Sequence, residues 1–140
     1  MITWDNLSEA VKRRNQHLRE VLSGQVKKQA KYHNEKINLD GLVFDSKKEA
    51  AKYAELLLLK RAGIVAEFKH HPRPFVLKEG YRCQQTKRWI RPITYTPDFW
   101  VKYADGHEVW IDTKGYRTEV YRIKLKLFLE RYPELEFIEE

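Results

Sequence analysis

Three charged residues stand near the ends of two strand-like runs, and their types suggest chemistry. In YTPDFWVKYADGHEVWIDTKG, residues 95–115, Pro97-Asp98 opens one run and Asp112-Thr113-Lys114 closes the next. Two carboxylates side by side repel in a low dielectric, and one of them is expected to hold a proton. A divalent cation removes that cost. Hard cations such as Mg2+ or Mn2+ prefer carboxylate and water oxygens and keep several waters. A lysine beside them can orient or deprotonate an attacking water. The pattern reads as phosphodiester hydrolysis, and ordinary strand-end charges are the alternative.

Whether the acids meet depends on register. A two-residue Asp105-Gly106 turn would set Phe99 against Asp112. A three-residue loop, Ala104-Asp105-Gly106, shifts the pairing by one and gives Gly106 the left-handed position. Lys102 then faces Glu108, Val101 faces Val109 and Phe99 faces Ile111. Trp100 faces Trp110 and Asp98 faces Asp112, with Lys114 two residues along on the same side. A slip of one residue would send every side chain to the wrong face. The spacing therefore predicts the three-residue loop.

Other elements must hold this hairpin. Leu7, Val11, Leu18 and Leu22 predict a helix over 5–23, stopped by Gly24 and basic on its other face. Residues 25–36 read as a linker or arm. Ile37–Leu39 and Leu42–Phe44 form a hairpin around Asp40-Gly41. Ser46-Lys47-Lys48-Glu49 is a capping-box pattern that opens a helix to Arg61, ended by Gly63. Glu49 lies at the edge of that helix's apolar side and can reach a sheet edge, or it serves the capping box alone. Glu55 points to solvent. GIVAEFKHH and PFVL read as strands, Lys78 to Pro92 as a basic loop, 118–132 as a helix and 135–138 as a last strand. The fold class is α/β, with helices around one central sheet.

These residues together resemble the PD-(D/E)XK nuclease superfamily. The stretch KYHNEKINLDGLVFDSKKEAAKYAELLLLKRAGIV, with YTPDFWV and DTKGY, is similar to a phage-type branch related to endonucleases and Holliday junction resolvases. The resemblance covers about residues 31–140, a nuclease core, and leaves 1–30 as a basic N-terminal helix and arm. It implies a restriction-endonuclease-like core: a central mixed sheet flanked by helices, here with an extra N-terminal helix. It further implies that Asp98 and Asp112 are metal ligands completed by the Thr113 carbonyl. Lys114 would act on the attacking water, and Glu49 on a second metal or its water. The family usually has Glu where Asp112 stands, and the shorter arm bears on metal distance. Branched DNA as substrate, and a homodimer to cut both strands, follow from the resemblance alone.

Composition bounds the partners. The chain has 140 residues, 42% of them hydrophobic, which fits a globular protein. No apolar run reaches the ~20 residues of a membrane span, and the N-terminus lacks a signal-peptide layout. Cys83 is the only cysteine, which excludes an internal disulfide and fits a reducing, cytoplasmic setting. The net charge of +7 favours a polyanion, most often nucleic acid. Arg82, Lys87, Arg88, Trp89 and Arg91 in the basic loop are candidate DNA contacts, with a solvated loop as the alternative. Arg13 and Arg14 on the first helix join them. Lys124, by the same resemblance, is a candidate for steadying a phosphate, and a solvated helix face explains it equally.

His70 and His71 should point to opposite faces, as neighbours on a strand do, and so form no joint site. Trp100 and Trp110 should pack in the core, beneath the Glu49 helix, rather than wall the site. The competing functional classes are a non-catalytic DNA-binding module and an exonuclease or restriction-type enzyme.

Overall fold

A computed structural model describes residues 3–23 and 36–140. They form two compact units. The first takes in the described residues up to Glu67 and Tyr103–Asp105, and the second Phe68–Lys102 and Gly106–Glu140.

In the first unit the expected helix over 5–23 is broken. A 3-10 turn at Trp4–Asn6 is followed by α1 (Glu9–Arg14), a second 3-10 turn at Gln16–Leu18 and α2 (Arg19–Leu22). Two local features cut it. Leu7 and Ser8 are extended, so α1 starts afresh at Glu9. Asn15 leaves the helical region, at φ −122° and ψ 25°, and its amide Nδ2 donates to the Val11 carbonyl at 2.8 Å. A short amide side chain competes in this way with the helix ladder. Gly24 and the arm expected over 25–36 lie outside the described residues, apart from Lys36.

β1 (Ile37–Leu39) and β2 (Leu42–Phe44) pair antiparallel, with Ile37 opposite Phe44. Asp40 at φ 53° and Gly41 at φ 77° make the two-residue turn that matches strand twist. α3 (Lys47–Arg61) follows, and the Ser46 hydroxyl accepts from the Glu49 N–H at 3.1 Å. Ala50, Ala54 and Leu58 bury against Leu18, Ile37, Leu39 and Phe44. Apolar burial of this kind stabilises the unit more than helix propensity does.

The chain passes into the second unit within β3 (Val65–His70). β4 (Phe75–Lys78), β5 (Tyr81–Arg82), β6 (Trp89–Ile90), β7 (Ile93–Tyr95), β8 (Phe99–Tyr103) and β9 (Glu108–Asp112) follow, then α4 (Glu119–Arg131) and β10 (Phe137–Glu139). The main sheet has the order β10-β9-β8-β3, while β4 pairs with β7 and β5 with β6. β8 and β9 are antiparallel and β10 is parallel to β9, so the sheet is mixed.

The β8–β9 register is the one the spacing predicts. Phe99 faces Ile111, Trp100 faces Trp110, Val101 faces Val109 and Lys102 faces Glu108. Gly106 takes φ 94°. The apolar set Phe99, Val101, Val109 and Ile111 is buried to 2% exposure or less. α4 starts where the Thr118 hydroxyl accepts from the Tyr121 N–H at 3.1 Å. It buries Phe128 among the rings of Phe75, Tyr95 and Phe137, with centroids 5.1–5.5 Å apart. The Tyr132 hydroxyl donates to the Val76 carbonyl at 2.9 Å, and Arg131 to the Leu77 carbonyl at 3.1 Å, tying α4 to β4.

Candidate functional site

Asp98 precedes β8 and Asp112 ends β9, and the register sets them across from each other. Neither acid is loose. Asp98 Oδ2 accepts from both the backbone N–H and the hydroxyl of Thr113, each at 2.8 Å. Asp112 is fully buried, and its Oδ2 accepts from the Tyr95 hydroxyl. Lys114 Nζ stands 2.5 Å from Asp112 Oδ1 and 4.6 Å from the centre of the Tyr121 ring. Lys114 is therefore the charge partner of this buried oxygen, as Tyr95 is of the other.

A third carboxylate joins from the last strand. Glu139 pairs with Asp112 in the β9–β10 register. It accepts from the Tyr121 hydroxyl at 2.5 Å and pairs with Arg117. Glu139 stands among other glutamates, Glu134, Glu136 and Glu140, and nothing local in the sequence announces it. Only the parallel pairing of β10 brings it here. Tyr95 was missed for a similar reason, because its role comes from a hydroxyl reaching across to β9.

The charges are not equivalent. Burial, then the charge of Asp98, push the Asp112 carboxyl up, and Lys114 and Tyr95 only partly offset this. Burial, then the hydrogen bond to Asp112, push the Tyr95 hydroxyl far above its usual range, so it stays a donor. Tyr121 is raised likewise, by burial and then by Glu139. At Glu139 burial pushes upward, but the Tyr121 hydroxyl, Arg117 and Lys114 outweigh it and the net direction is down. The arrangement alternates carboxylates with phenol and ammonium donors, and Lys114 is a quarter exposed at its centre.

Of the residues singled out in the sequence, Asp98, Asp112, Thr113 and Lys114 come together in the second unit. The Thr113 side chain does something unforeseen, since it holds Asp98. Glu49 belongs to the first unit. It is buried, and its carboxylate accepts from the Asp45 N–H at 3.0 Å while its own N–H donates to Ser46. This is the reciprocal cap, closed on Asp45 rather than Ser46. Glu55, expected in solvent, is 18% exposed and pairs with Lys52 at 3.2 Å.

The region from Lys78 to Pro92 is not a plain loop. It contains the β5–β6 hairpin, with Arg82 opposite Trp89. Arg82, Lys87, Arg88, Trp89 and Arg91 are all exposed, as are Arg13 and Arg14 on α1. Lys124 lines an open groove of about 450 Å³ between α4 and β7, with Ile93, Val120 and Ile123. His70 and His71 do not diverge. Their rings stack with centroids 3.8 Å apart, because His71 turns to φ 46° and ends the strand alternation. Trp110 is core, packed edge-on against Phe75 at 4.7 Å, in the cluster that α4 covers rather than beneath the Glu49 helix.

Fold and site define a mixed α/β protein whose sheet presents paired aspartates and a lysine on one face. Over residues 29–139 the chain matches the family described as "Protein of unknown function (DUF1064)", and it belongs to that family. No curated protein and no solved structure gives a match. No helix among the described residues is long and apolar enough to cross a membrane.

Proposed function

We propose that this protein is a metal-dependent deoxyribonuclease on a restriction-endonuclease-like core, with Asp98, Asp112 and Lys114 at its reacting centre. The observation that carries the reading is the facing of Asp98 with the buried Asp112, whose Oδ1 has the Lys114 ammonium 2.5 Å away. The donor set is all hard oxygen and suits Mg2+ or Mn2+. Asp98 and Asp112 would hold the cation, and the Thr113 carbonyl would complete the set. When bound, such a cation stabilises the charge that develops on the scissile phosphate.

The chain's own groups do the rest. Thr113 and Tyr95 each anchor one oxygen of a carboxylate, which fixes its orientation. Lys114 reaches solvent from the buried acid, so it can orient the attacking water and take part in its proton transfer. A branched DNA is the substrate the resemblance favours, and cutting both strands of a junction would take two copies.

The test is to incubate the protein with Mg2+ or Mn2+ and linear, flap and four-way junction DNAs. At least one should be cut. Lys114→Ala should cut about 10²–10⁴-fold more slowly, and Asp98→Ala should not cut. If no substrate is cut with either metal, or Lys114→Ala matches the parent, the reading fails.

A specific observation also favours a second reading, a non-catalytic DNA-binding module. Each acid of the pair already has protein partners: Thr113 for Asp98, and Tyr95 with Lys114 for Asp112. That reading expects salt-dependent DNA binding and no heat on Mn2+ titration. The nuclease expects Mn2+ uptake that Asp98→Ala abolishes.

A further inference from the structure

The β5–β6 hairpin exposes large aromatic surface where a hairpin of a soluble domain normally shows polar groups. Trp89 is 63% exposed, Tyr81 48% and Ile90 39%. An exposed indole next to cations is the surface on which proteins stack single-stranded bases. The indole is nonetheless seated. A Cβ on Gly80 would lie 2.6 Å from Trp89 Cζ2, 3.0 Å from the Ile90 carbonyl oxygen and 3.1 Å from Pro92 Cδ. Only glycine leaves room for the ring there, so Gly80 sets where Trp89 sits.

Cations flank the ring along the chain and across the ladder. Arg82 is the direct cross-strand partner of Trp89, and side chains so paired share a face. Lys87 and Arg88 precede Trp89, and Arg91 follows. Lys87 takes φ 57° in the turn, and its N–H donates to the Cys83 carbonyl at 2.9 Å, so the tip is ordered. Among the described residues, the side chains of Arg82, Lys87, Arg88 and Arg91 have no carboxylate partner. Unpaired cations around a fixed, exposed ring suit phosphates with a base between them.

The hairpin also leads into the site. Arg91 is four residues before Tyr95, whose hydroxyl holds Asp112. A chain that short spans no more than about 14 Å. A strand lying on the hairpin would therefore be delivered close to the acids.

We infer that this hairpin is a single-strand reader: Trp89, seated on Gly80, stacks one unpaired DNA base while Arg82, Arg88 and Arg91 take the flanking phosphates. This rests on the DNA-directed reading above and narrows it to substrates with unpaired nucleotides. Duplex DNA offers phosphates to the arginines but no accessible base face to the ring, so Trp89 should matter for one and not the other.

The test uses the full chain in EDTA, so that cleavage plays no part. Fluorescence anisotropy measures binding to a labelled single strand and to the same sequence as a duplex. The single strand should bind tighter. Trp89→Ala should weaken it about tenfold and change duplex binding less than twofold. Trp89→Tyr, which restores a ring, should recover most of the loss. The inference is overturned if Trp89→Ala changes single-strand binding less than twofold, weakens both DNAs equally, or is not rescued by tyrosine. Cleavage is scored separately with Mg2+. Absent cleavage with Trp89-dependent binding sinks the nuclease and leaves the hairpin reader standing. Cleavage without Trp89-dependent binding does the reverse.

Discussion

Burying Asp112 beside Asp98 disfavours its charged form, and neither Tyr95 nor Lys114 fully compensates. The folded-state value of this carboxyl lies above the unfolded one, so the native state holds the extra proton between the two. Stability from that group is fully present below the unfolded value, about 4, and is lost as pH rises through the folded value. Asp112→Asn keeps an acceptor for Tyr95 and has no charge to bury. In EDTA it should be no more stable than the parent near about pH 3 and more stable near about pH 8, by urea unfolding. It should also lose cleavage. A variant matching the parent across that range would show that the Lys114 pair fully offsets burial. Asp98, Asp112 and Lys114 were legible in the sequence because each sits at a period-two position of one hairpin. Tyr95 and Glu139 were not, because a hydroxyl reaching between strands leaves no mark on spacing.

The β8–β9 hairpin was legible almost completely. Its cross-strand pairs are sensible in one register alone, and Gly106 at φ 94° supplies the loop that register needs. Nothing lies within 4 Å of a Cβ built on Gly106, so a substitution there meets only backbone strain. Gly106→Ala should therefore cost about 1–2 kcal/mol in urea unfolding while cleavage persists. Loss of cleavage at unchanged stability would mean that the loop does more than set register. The helix expected over 5–23 failed for a local reason. Apolar spacing does not report that Asn15 will spend its amide on the Val11 carbonyl. The basic segment from Lys78 to Pro92 failed the opposite way. It is too polar to look like strands, yet β5 and β6 pair, and Gly80 beside them leaves the room that the Trp89 ring occupies.

A net charge of +7 gives the molecule a long-range pull on polyanions. If exposed cations such as Arg82, Arg88 and Arg91 take phosphates, DNA binding must release counterions. Raising KCl from 50 to 200 mM should then weaken single-strand binding by about tenfold or more. Binding that ignores salt would remove the cations from the interface. Such charge is readable without any structure, because a sum over residues needs no coordinates. So are the α/β order of elements, the capping box at Ser46 and the facing of Asp98 with Asp112, since all rest on periodicity within short stretches. Other features rest on pairings between residues far apart in the chain. The parallel docking of β10 brings Glu139 to Asp112, the hydroxyl of Tyr95 holds the buried acid, and the turn at His71 stacks it on His70. Local spacing carries no information about such pairings. They are settled when β-strands and α4 pack, because only then do burial and the need to satisfy buried polar groups decide which distant side chains must meet.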